Sequence, residues 1–196
     1  MEDLSLHILD IAENSVSAGA TFIRIRVEQR DAEDLFTVEI EDNGRGMSQE
    51  FLENVLDPFC TTRTTRDVGL GLPFLAQSAR ETGGDISIRS APGKGTTVTA
   101  VFHPGHIDMR PPGNIADTVA TLIAGNPLTD FLFSYSRDNR TYSLDTREIR
   151  RVLEEVPINS AEVISAVRED LIEALNDILD RKTEKPKGET EGNVPL

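Results

Sequence analysis

Only one cysteine, Cys60, occurs in the 196 residues, so no internal disulfide can form. That fits a reducing compartment. Positive charge is also scarce. Twenty Lys and Arg face 34 Asp and Glu, a formal charge of −14, which argues against a broad affinity for nucleic acid or acidic lipid. Phosphate binding stays open to such a chain, because a divalent cation and a few local groups are enough to hold phosphates. No run reaches the ~18 apolar residues of a membrane span. The opening Met1-Glu2-Asp3-Leu4 lacks the basic start and apolar stretch of a signal peptide. A cytoplasmic location is therefore expected, with no membrane and no nucleic acid as partner.

What is present is a 38% hydrophobic fraction arranged in clear periods. Residues 4–18 read as an amphipathic helix, with Leu4, Ile8, Ile11, Ala12 and Val16 on one face. His7, Asp10, Asn14 and Ser17 fall on the opposite, polar face, and Gly19 ends the helix. Strict alternation follows in Ile23, Ile25, Val27 and in Phe36, Val38, Ile40, then again in Ile86, Ile88 and in Val98, Ala100, Phe102. Period two with polar residues between means one buried and one wet face. The expected fold is α+β, a two-layer sandwich with helices on one face of a mixed sheet. Segments 48–56 and 70–82 read as helices.

The segment His103–Asn114 is rich in Pro and Gly and reads as a connector. A helix over 115–124 and a hairpin through Phe131, Phe133, Tyr135 and Tyr142, Leu144 follow, then helices over 146–155 and 160–181. The organisation expected is a domain over 1–103, a linker over 104–114, a small α/β appendage over 115–181, and a disordered tail over 182–196. The C-terminal helices suit either a dimerisation or docking element or a cap on the open side of the sheet.

Four short motifs carry chemistry. The helix face Asp10-x-x-x-Asn14 places an amide oxygen, a hard ligand suited to Mg²⁺, one turn from a carboxylate able to orient water or accept a proton. Its bland alternative is a solvated helix face. Glu41-Asp42-Asn43-Gly44-Arg45-Gly46-Met47 ends a strand with a carboxylate that can accept the exocyclic amine of adenine, beside glycines that admit a base closely. The same letters also suit an ordinary strand-to-helix turn. Asp57-Pro58-Phe59-Cys60-Thr61-Thr62-Arg63 offers an apolar anchor followed by phosphate-seeking side chains, or merely a helix stop and a polar loop. Gly69-Leu70-Gly71-Leu72 opens a helix whose bare N–H groups suit phosphate.

In order, these four resemble the N, G1, F and G2 boxes of the GHKL superfamily of ATPases, which includes gyrase, the large heat-shock chaperone, histidine kinases and mismatch-repair ATPases. Gly93-Lys94-Gly95-Thr96-Thr97 resembles the late glycine-threonine strand start of the kinase members. The resemblance spans residues 4–102. It implies ATP and Mg²⁺ as cofactors, Asn14 as the Mg²⁺ ligand, Asp42 as the adenine acceptor, and Gly44 and Gly46 as pocket glycines. It further implies that Gly69 and Gly71 contact phosphate, that Arg63 reaches it, and that Thr97 supports adenine through water. Asp10 stands as the catalytic base where the family has Glu, Asn or His. Arg63 replaces a usual Lys, and Asp67-Val68 replaces a frequent Gly-Thr.

The first motif begins almost at Met1, so the helical hairpin that carries a sensor kinase's phosphoaccepting histidine is not expected before it. Neither His103 nor His106 has the expected acidic neighbour, and no further ligands complete a metal site with them. Three readings follow: a kinase that phosphorylates a separate protein, a non-catalytic ATP sensor, or a conformational ATPase that dimerises around ATP. The short span between Phe59 and Gly69 disfavours the last.

Overall fold

The computed structural model describes residues 3–57 and 71–180. Helix α1 (Leu4–Ser17) starts on Asp3, whose side chain accepts the Leu6 N–H, and stops at Gly19, where φ is +79°. Strand β1 (Phe22–Arg30) turns through a single 3₁₀ turn (Asp31–Glu33) into β2 (Leu35–Asp42). Then come α2 (Gln49–Asn54), α3 (Gly71–Glu81), β3 (Asp85–Ala91) and β4 (Gly95–Phe102). The rest of the described chain is α4 (Ile115–Gly125), β5 (Asp130–Arg137), β6 (Arg140–Asp145), α5 (Thr146–Leu153) and α6 (Ala161–Leu179). Residues 182–196, where the sequence suggests disorder, lie outside the described residues.

All six strands form one sheet in the order β3-β4-β2-β1-β5-β6, antiparallel except for the β1·β5 pair. Alternation sets its two faces. Ile23, Ile25 and Val27 lie beside Phe131, Phe133 and Tyr135 on one flank and beside Asp42, Ile40 and Val38 on the other, all on the buried face. The opposite face carries cross-strand ion pairs, Arg24 with Glu41 at 2.5 Å and Arg26 with Glu39 at 2.8 Å. Being partly exposed, each is worth at most about 1 kcal/mol.

The sheet is thus the mixed, one-sided layer that the periodicity implies, but the C-terminal region relates to it differently from a separate appendage. Its hairpin continues the sheet beyond β1 in parallel register, and α4 and α6 pack on the same face as α1 and α3, within one hydrophobic core. They extend the helical layer and leave the polar face of the sheet open. Two arginines beside the β5–β6 turn fasten α6: Arg137 donates to the Leu179 carbonyl at 3.2 Å and Arg140 to the Asp177 carbonyl at 2.6 Å. Cations at the carbonyl end of a helix offset its exposed acceptors and its dipole.

His7 departs from the polar stripe expected of it. It is 2% exposed, with Nε2 3.2 Å from the Ser78 hydroxyl of α3. With the sheet beneath it, α3 on one side and α4 on the other, α1 buries more of its circumference than an apolar stripe of Leu and Ile implies. No helix among the described residues is long and apolar enough to cross a membrane.

Candidate functional site

The buried row of β2 runs Phe36, Val38, Ile40 and ends in a carboxylate, Asp42, only 8% exposed. A charged group there needs partners. Ser15, on the sheet-facing side of α1, donates its hydroxyl to Asp42 Oδ2 at 2.8 Å, and the Gly44 N–H donates to Oδ1 at 2.8 Å. Both contacts suit a carboxylate that accepts, and each oxygen keeps a lone pair for a ligand.

The chain beyond Asp42 is shaped by close backbone approach. Gly46 has φ +65°, and a Cβ there would lie 2.0 Å from the Ala91 carbonyl oxygen. Gly95 has φ +80°, and a Cβ would lie 1.9 Å from the Asp42 carbonyl oxygen. Only glycine fits either position. The strand end is therefore clamped against the β3–β4 turn, opening a cavity of about 280 Å³ between α1, the sheet and the segment 45–51. Ile11, Met47, Phe51, Leu72 and Val98 supply its apolar walls, while Asp42, Ser15 and Thr96 are polar groups on the same lining. A mostly apolar cavity with a few fixed polar atoms suits a heteroaromatic ring.

Asn14 is half-buried on the lining of this cavity, and Arg45 and Ser48, both exposed, also line it. One turn back along α1, Asp10 is exposed and abuts the first residue of α3: a Cβ on Gly71 would lie 3.1 Å from the Asp10 Cβ. Asp10, Asn14, Asp42, Gly44, Gly46 and Gly71 are thus gathered around one end of the α1–α3 crease. Gly44 itself lies tight against Ala18 and Asp42, where a Cβ would come within 3.0 Å of the Ala18 carbonyl oxygen. Arg63 and Gly69 lie outside the described residues.

Thr97 is not part of this arrangement. In the β2–β4 register it stands beside Glu41, on the open face of the sheet, whereas Thr96 stands beside Asp42 and lines the cavity. A period of two allows no other outcome once Val98 faces inward. Thr96 was legible from that phase, and Ser15 from being a hydroxyl four residues after Ile11 on an apolar helix face. His103 and His106 follow the far end of β4, where His103 Nδ1 is 2.9 Å from the Asp34 carbonyl oxygen. Among the described residues no three His, Cys, Asp or Glu side chains are grouped to hold a metal.

Comparison with known proteins agrees with the geometry. Residues 2–106 match the family described as histidine kinase-, DNA gyrase B-, and HSP90-like ATPase. The sensor protein kinase FleS of Pseudomonas aeruginosa is 35% identical over 95 residues, 48% of this chain and 23% of that protein. The signal transduction histidine-protein kinase AtoS of Escherichia coli is 32% identical over 108 residues, covering 55% and 17%. The nitrogen regulation protein NtrY of Azorhizobium caulinodans is 42% identical over 77 residues, covering 38% and 10%. The chain thus spans less than a quarter of the length of each of these relatives. A solved N-terminal domain of a DNA repair protein is similar in fold, with a TM-score of 0.51 at 15% identity over 89% of this chain and 57% of that one. That likeness reaches past residue 106 into the C-terminal strands and helices.

Proposed function

This chain belongs to the histidine kinase-, DNA gyrase B- and HSP90-like ATPase family, and from that premise we propose that it binds Mg-ATP in the cavity beside Asp42 and passes phosphate to a separate protein. The observation that supports this most directly is the buried Asp42, held by Ser15 and Gly44 on the lining of a mostly apolar cavity. Adenine seats there with its amine toward the carboxylate. Asn14 and Asp10 then lie on the phosphate side, next to the start of α3 at Gly71.

Mg²⁺ fits this donor set. Asn14 offers a hard amide oxygen one helical turn after the Asp10 carboxylate, and an ion held by Asn14 would take its remaining ligands from phosphate and water. When bound, the ion supplies charge neutralisation at the phosphates. Asn14 is its ligand in this reading, Asp10 orients or deprotonates the attacking group, and Arg63, Gly69 and Gly71 hold phosphate. The setting is cytoplasmic.

Phosphoryl transfer depends on an acceptor held in line with the γ-phosphate. His7 is buried, and His103 and His106 follow the far end of β4, so none of the three serves as acceptor in this reading, which assigns that role to a separate protein. The alternative is an ATP sensor with no transfer chemistry. In that case the signal would run through α1, whose Glu13 accepts from Asn126 at the end of α4 at 3.1 Å while its neighbour Asn14 lines the cavity. Labelled ATP incubated with the full chain and a lysate of the source cells separates the two. A labelled acceptor that disappears with Asn14→Ala supports the kinase. Tight Mg-ATP binding with no labelled protein supports the sensor, and no nucleotide binding at all removes both.

A further inference from the structure

Ser90, near the end of β3 and outside the cavity lining, has three hydrogen-bond contacts at 2.9 Å: the Met47 N–H, the Gly95 carbonyl oxygen and the Thr96 hydroxyl. A serine hydroxyl has one hydrogen and two lone pairs. The Met47 N–H donates to one lone pair. The Gly95 carbonyl can only accept, so the Ser90 hydrogen belongs to it. The contact with Thr96 must then be filled by the hydrogen of Thr96, which takes the second lone pair. Any other assignment leaves two oxygens 2.9 Å apart with no hydrogen between them.

The consequence reaches the cavity. Thr96 lines it beside Asp42, yet its only hydroxyl hydrogen points away to Ser90, so toward a ligand it offers lone pairs alone. Ser15 behaves alike, since its hydrogen is directed to Asp42 Oδ2 at 2.8 Å or to the Ile11 carbonyl at 3.2 Å. Asp42 itself accepts. The other side-chain donors on the lining belong to Asn14, Arg45 and Ser48, all more exposed than Asp42 and Ser15.

We infer that the wall formed by Asp42, Ser15 and Thr96 accepts hydrogen bonds without donating them, and that Ser90 is the positioning residue that keeps it so. Such a wall takes the amine edge of a 6-aminopurine and rejects the carbonyl of a 6-oxopurine in the same seat, because two facing acceptors lose hydration without gaining a bond. Discrimination between purines is set partly by a residue that lies off the cavity lining. The inference rests on the nucleotide reading of the cavity and adds to it the source of base selectivity.

Titration calorimetry of the full chain with ADP and with inosine diphosphate, in which a 6-oxo acceptor and an N1–H donor replace the 6-amine and the N1 lone pair of ADP, tests it. Wild type is expected to prefer ADP. Ser90→Ala frees the Thr96 hydrogen to donate to a 6-oxo group and should narrow the ADP to inosine diphosphate ratio about tenfold. Ser90→Thr keeps a hydroxyl and should restore the ratio, and on a Thr96→Val background Ser90→Ala should no longer change it. If Ser90→Ala does not fold, Ser90→Cys, with its weakly bonding thiol, carries the same expectation. Equal weakening of both nucleotides, or an undiminished effect in the Thr96→Val background, would overturn the relay and reduce Ser90 to a support for the 45–47 turn. No preference for ADP in wild type would instead remove the adenine pocket, and the relay with it.

Discussion

Replacing Asp42 by Asn changes one heavy atom on the lining of the cavity and tests the chemistry with little change of shape. The carboxylate accepts from Ser15 on Oδ2 and from the Gly44 N–H on Oδ1. Asparagine can satisfy both neighbours in one orientation only. Its oxygen must face the Gly44 N–H, so its NH₂ faces Ser15, whose hydroxyl then turns to the Ile11 carbonyl already 3.2 Å away. Packing therefore survives, and the cost to the apo fold should stay within ~1 kcal/mol. Binding fares worse, because a pair of charged acceptors becomes one neutral acceptor and one donor. A hydrogen bond to a charged acceptor is worth roughly 1.5–3 kcal/mol. At about 1.4 kcal/mol per decade, ADP affinity should fall by between ten- and a hundredfold. Calorimetric titration alongside a thermal melt measures both quantities. Unchanged ADP affinity in a folded Asp42→Asn protein would refute the assignment of this carboxylate to the base.

Further outcomes follow from other contacts. Gly46→Ala places a Cβ 2.0 Å from the Ala91 carbonyl oxygen at φ +65°, and backbone must move; a loss of more than ~2 kcal/mol in urea unfolding is expected, together with nucleotide binding. Arg137→Ala removes bonds to Asp31 (2.7 and 3.0 Å) and to the Leu179 carbonyl, from a side chain only 11% exposed. A loss of about 1–3 kcal/mol should appear in denaturant unfolding, with faster amide exchange at the end of α6. Asp145 caps α5 through the Arg147 N–H, and hydrogen bonds from the Arg147 side chain hold its carboxyl below the usual range. A depressed folded pKa means stability that is present above the unfolded value near 4 and lost as pH falls toward the folded one. Asp145→Asn should therefore cost up to ~1 kcal/mol at pH 7, and the gap to wild type should close below pH 4 in melts.

The local pattern of residues determined the elements and pointed to the candidate site residues. Alternation fixed β1, β2, β3 and β4 and said which side of each is apolar, because a strand repeats every two residues whatever surrounds it. The same phase carried through to Asp42 as the last inward residue of β2. The first helix and the places of Asp10, Asn14, Gly44 and Gly46 in the chain are legible for equally local reasons, whereas the approach of Gly46 to Ala91 and of Gly95 to Asp42 is not. Family resemblance points to Thr97 as the pocket threonine, whereas the inward phase of Val98 points to Thr96. Tertiary structure alone decided the rest. Nothing within residues 130–145 says that their hairpin will lie parallel to β1 and share its core, since that choice rests on pairing across a hundred residues of chain. His7 reads as polar surface until α3 packs over it. Ser90 reads as an ordinary strand serine until the β3–β4 turn brings Gly95, Thr96 and Met47 within 2.9 Å of its single hydroxyl. Period is a property of the backbone, but partners are set by register and packing, and these depend on contacts between segments far apart in the chain.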